Sequence, residues 1–196
     1  MITRPHLTLP LALVTLFPAP LFAHTGAAGT GGLASGLLHP VTGPDHVVAM
    51  VAVGLWGCIL GGRAIWQLPV VFPMMMAFGG LLGVAQVPLP SVETGIALSG
   101  VFLGLLVALA IRLPMAAAWA IVAVFALFHG HAHGTELPAS ADPVAYVLGF
   151  VTATGVLHLA GIALGLLWAR PAGRLIVRGA GSVIALAGLA FLTGVA

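Results

Sequence analysis

The chain has 196 residues, 61% of them hydrophobic and 5% charged, with a mean hydropathy of +1.20. Soluble domains carry roughly 25% charged residues, so this inventory cannot build a water-facing surface and the solvent must be lipid. The net charge of +2 rests on too few groups to mark a nucleic-acid partner, and Cys58, the single cysteine, excludes an internal disulfide and every CxxC metal or redox motif.

Residues 1–23 read as a secretory signal peptide. Arg4 provides a sparse positive start, Leu7 to Phe17 an apolar core, and Leu21-Phe22-Ala23 a small-residue cleavage site. Cleavage after Ala23 would leave His24 at a mature N-terminus outside the cytoplasm. There its α-amine and imidazole could chelate one metal ion.

Residues 24–196 form one transmembrane domain in this reading. The fold class is all-α, a polytopic helical bundle of six spans, each needing about 20 apolar residues. The spans run approximately from Leu33 to Leu60, Ile65 to Val87, Val92 to Ile111, Met115 to His129, Val144 to Trp168 and Leu175 to Val195. Pro40, Gly43 and Pro44 break the first at its outer end, since proline lacks an N–H and clashes with the preceding turn. The fourth is short. Brief loops predict antiparallel neighbours, and the pairs Gly57/Gly61, Gly79/Gly83, Gly100/Gly104 and Gly161/Gly165 predict close helix contacts.

With the mature N-terminus outside, Arg63, Arg112, Arg170, Arg174 and Arg178 all fall on inner loops, as the positive-inside rule requires. Both mature ends are then periplasmic, in a bacterial inner membrane. Glu93, Glu136 and Asp142 fall on the outer side. So do His24, His39, His46, His129, His131 and His133, while His158 lies near the middle of the fifth span. Scattered core histidines would not segregate in this way, and the one-sided cluster points to a metal or proton site.

Two motifs carry that chemistry. In "HPVTGPDH" (39–46), broken backbone at membrane depth is tolerated only inside protein or along a cavity. A helix restarting near Pro44 puts Asp45 in its first turn, where the dipole favours a carboxylate, flanked by His39 and His46. In "FHGHAHGTE" (128–136), His129 and His133 share a helix face. His131 points elsewhere unless Gly130 and Gly134 loosen the turn. Imidazole with carboxylate and no thiolate suits zinc, copper(II), nickel or cobalt. Structural alternatives stand beside this reading: His158 as an interhelical hydrogen-bond partner, Asp45 satisfied by its own helix amides, and the three-histidine run as a metal-scavenging loop.

The signal peptide running into "AHTG", "HPVTGPDH", "GLWGCILGGRAIWQLP" and "FHGHAHGTE" resemble the HupE/UreJ family of hydrogenase and urease accessory membrane proteins. The resemblance implies uptake of nickel, in some members cobalt, with nickel-enzyme maturation proteins as downstream partners and no organic cofactor. It also implies metal-motif roles for His39, Asp45, His46, His129, His131, His133 and Glu136. The expected function is therefore not enzymatic. It is transport of a divalent ion, nickel before cobalt or zinc, from periplasm to cytoplasm. A non-transporting metal-binding or sensor protein is the alternative. A haem electron carrier fits less well, because His158 has no mid-membrane histidine mate.

Overall fold

A computed structural model describes residues 32–137 and 142–195. The expected signal peptide and His24 lie outside the described residues. The described chain is all-helical, in the order α1 (Gly32–Thr42), α2 (Pro44–Leu60), α3 (Ala64–Val84), α4 (Val92–Ala108), α5 (Met115–Thr135), α6 (Pro143–Gly165), a 3-10 turn (Leu166–Ala169) and α7 (Pro171–Thr193).

The first expected span is two helices, α1 and α2, meeting at 78°. Gly43 is extended between them (φ −90°, ψ 101°), and Pro44 opens α2 at a position where no N–H is needed. The amides of His46 and Val47 donate to Gly43 O at 3.1 and 3.0 Å and restart the helix. Pro40 does not break the chain, contrary to the sequence reading. It is buried inside α1, whose end is held by Thr42 Oγ1 donating to His39 O at 3.1 Å.

Among the described residues, four helices are long and apolar enough to cross a membrane: α3, α5, α6 with its 3-10 turn, and α7. The bent pair would make a fifth. Helix α4 is apolar but only 17 residues long, about 25 Å at 1.5 Å per residue against a hydrocarbon core of about 30 Å. A count of six therefore requires α4 and the bent pair both to cross.

Helix α2 is the centre of the bundle. Ala49, Met50, Val53, Leu55, Trp56 and Ile59 are wholly buried, enclosed by α3, α4, α6 and α7. Outward positions such as Leu81, Leu159 and Leu175 are exposed leucines suited to lipid. Glycines decide the partners. A Cβ on Gly79 or Gly83 would strike the α5 backbone at Leu127 or His131, and one on Gly130 or Gly134 would strike α3 at Met76 or Gly80. These matched contacts rise together along both chains, so α3 and α5 run in the same direction. Gly130 and Gly134 thus bring α5 against α3 and leave its turn unloosened. Gly100 and Gly104 meet Gly188 and Ala185 of the oppositely directed α7. Helix α6 backs the broken span, with Gly36 against Tyr146 and Gly161 against Val51. Gly61 makes no such contact. It caps α2 with φ +77°.

Candidate metal centre

Three helix ends deliver the polar groups. His39 sits in the last turn of α1, Asp45 and His46 in the first turn of α2, and His129, His133 and Glu136 at the end of α5. The break at Gly43 lets α1 and α2 present their histidines to the same stretch of α5. One ring nitrogen each of His39 and His133 and a carboxylate oxygen of Glu136 lie within 4.8 Å of one another. His39 Nε2 stands 3.8 Å from Glu136 Oε2.

From this cluster the rings continue inward as a file. Their centroids are separated by 4.6 Å from His39 to His133, 4.5 Å from His133 to His46 and 4.7 Å from His46 to His129. Phe72 of α3 follows, 5.6 Å from His129 and 5.2 Å from His158 on α6. Exposure falls along the file. The side chains of His39 and Glu136 are 29% and 32% exposed, whereas His133, His129 and His158 are buried. An ion entering at Glu136 would lose its water stepwise.

Hydrogen bonding leaves part of this file unsatisfied. His46 Nε2, His129 Nδ1, both ring nitrogens of His133 and His158 Nε2 are buried without a partner. An unpaired buried polar group costs about 1–3 kcal/mol, so a row of such nitrogens calls for partners, ordered water or a cation, and is suited to serve as ligand atoms. Neutral imidazole nitrogens with one carboxylate suit borderline divalent cations such as nickel, cobalt and zinc.

Not every expected residue joins the cluster. Asp45 Oδ1 accepts from the His46 amide at 2.9 Å and from His46 Nδ1 at 2.8 Å. It therefore orients the imidazole, and Glu136 is the carboxylate standing among the ligand atoms. His131 faces the other side of α5, where its Nε2 donates to Val87 O at 2.8 Å in the α3–α4 connection. His158 Nδ1 donates to Thr154 O at 2.9 Å, within its own helix. Two residues in the file escaped the sequence reading. Phe72 looks like any core aromatic, and Ser99, 2.9 Å from His129 Nε2, is a lone hydroxyl in an apolar helix.

These features define a multi-pass membrane protein with a buried imidazole–carboxylate file opening at one end. Residues 11–191 match the family model described as HupE / UreJ protein. Over 188 residues the chain is 48% identical to Protein HupE of Rhizobium leguminosarum bv. viciae, covering 96% of this chain and 97% of that protein. The chain belongs to the HupE/UreJ family, a family of hydrogenase and urease accessory membrane proteins associated with nickel and cobalt rather than a family of catalysts. No solved structure matches it.

Proposed function

We propose that the chain carries a divalent transition-metal ion, nickel before cobalt or zinc, from the periplasm to the cytoplasm for metalloenzyme maturation. The single observation behind this reading is the row of unpartnered buried imidazole nitrogens on His133, His46 and His129. It continues from the half-exposed His39 and Glu136. In the proposed orientation of six spans with both mature ends outside, that opening faces the periplasm and the five mature-chain arginines face the cytoplasm. His24, at the expected mature N-terminus, serves as a capture ligand.

The ion exchanges water first for His39, His133 and Glu136, then for His133, His46 and His129. His133 belongs to both positions and hands the ion on. Asp45 holds His46 and adds negative charge beside a dication leaving water, where an uncompensated charge would be costly. Phe72 then separates His129 from His158, and its ring must turn aside for passage. No ATP need be spent. The membrane potential supplies about 2.3 kcal/mol per charge per 100 mV, doubled for a dication. Supporting the cargo class are the nitrogen–oxygen donor set and the family's association with nickel and cobalt.

The test is uptake of radiolabelled nickel, cobalt and zinc into proteoliposomes under an imposed potential. Nickel should accumulate faster with a negative interior on the side of the arginines. Tight nickel binding with no flux at any potential would replace transport by a metal-donor or sensor role.

A further inference from the structure

His129 and Ser99 together fix a detail on which metal binding depends. Both are wholly buried. Ser99 Oγ lies 2.6 Å from Ile96 O, one turn back in α4, and 2.9 Å from His129 Nε2 on α5. A carbonyl oxygen can only accept, so the single hydroxyl proton of Ser99 goes to Ile96 O. Toward His129 the hydroxyl can then act only as an acceptor, and Nε2 must be the ring nitrogen that carries the proton. A neutral imidazole has one N–H. The lone pair is therefore on Nδ1, the nitrogen that lies buried without a partner.

Two other rings in the file, His46 and His158, obey the same rule through groups that leave no choice. The Asp45 carboxylate takes the Nδ1 proton of His46, and the Thr154 carbonyl takes that of His158. In each case the opposite nitrogen is the unpartnered one. Ser99 differs because a hydroxyl could donate or accept, and only its bond to Ile96 O decides. Metal-bound histidines commonly donate their second N–H to such a fixed acceptor, which sets the tautomer and orients the ring.

We infer that Ser99 is a positioning residue. By accepting from Nε2 it holds His129 as the Nε2–H tautomer and offers Nδ1 to a divalent cation at an inner position shared with His46 and His133. This rests on the reading that the histidine file binds the transported metal. It adds to that reading a residue on α4, a helix that contributes no ligand of its own.

The experiment uses the full chain in lipid nanodiscs with ring-15N histidine and nickel(II) as the probe. Without metal, the two-bond proton–nitrogen pattern of His129, assigned by its loss in His129→Gln, should report the Nε2–H tautomer. Ser99→Ala should turn that pattern into a mixture and weaken nickel binding by about 10–100-fold, the usual cost of losing such a partner. Ser99→Thr, which keeps an oxygen at the same place, should retain both properties. A parent spectrum with the proton on Nδ1 overturns the inference by itself, whatever the variants do. Unchanged nickel affinity in a folded Ser99→Ala overturns it while leaving the transport reading intact. A parent that binds no nickel overturns the transport reading and, with it, the inner cation position.

Discussion

The two ends of the bundle treat their polar side chains in opposite ways. At the arginine end, polar side chains find main-chain partners. Arg178 Nε donates to Ala108 O at 2.7 Å, Trp56 Nε1 to Ile111 O at 2.9 Å, and Arg174 lies 5.6 Å over the Trp168 ring. Those bonds close the last carbonyls around the end of α4, which no helical amide can reach. At the histidine end, main-chain breaks expose polar groups and the imidazoles are left short of partners. Among the described residues, every buried side-chain nitrogen or oxygen without a hydrogen bond belongs to a histidine or to Thr154. One end is finished as structure. The other holds unpartnered imidazole nitrogens that the proposed cation would engage.

Substitutions that act on one end alone can break this contrast. The largest effect is expected for His133→Ala, because that ring serves both proposed ion positions. Nickel binding and uptake should fall to the background of protein-free vesicles, with the elution volume of the purified protein unchanged. Next comes His158→Ala, beyond Phe72, where alternative ligands are few. Its maximal uptake rate should drop severalfold at every nickel concentration. Glu136→Gln should act more gently. It removes the anionic ligand at the mouth, so the half-saturating nickel concentration should rise while the maximal rate stays near the parent's. Equal losses for His158→Ala and Glu136→Gln at all concentrations would erase the distinction between capture and passage. The smallest effect on transport is expected for Arg178→Ala. It should leave nickel uptake unaltered and lower thermal stability by about 1 kcal/mol, the net worth of a typical hydrogen bond. A strong transport defect there, with stability intact, would show that the arginine end is not merely structural.

Much of this division was legible in one dimension. Hydropathy located the helices, and the segregation of arginine from histidine separated the two ends. Spacing put His129 and His133 on one face of α5 and turned His131 away from it, as the bond from His131 to Val87 O shows. What escaped depends on contacts between distant segments. Brief loops name only the helix next in the chain, yet the glycine seam joins α3 to α5, and a glycine pattern does not name its partner. Pro40 was read as a breaker because local rules see the lost amide and not the packing that tolerates it. The direction of the Asp45 carboxylate, toward His46, is a rotamer choice fixed only once α2 is placed. Ser99 has no periodic or motif signal, and its role exists only through a ring thirty residues away on another helix.

Whether the histidine file holds the metal is tested by anomalous diffraction at the nickel edge from crystals of the nickel-loaded protein. Peaks are expected within the histidine file, one among His39, His133 and Glu136 and one beside His46 and His129, both absent in His133→Ala. Ordered nickel only at the arginine end or on the lipid-facing surface, with the file clear of it at saturating metal, would rule out the histidine file as the metal path.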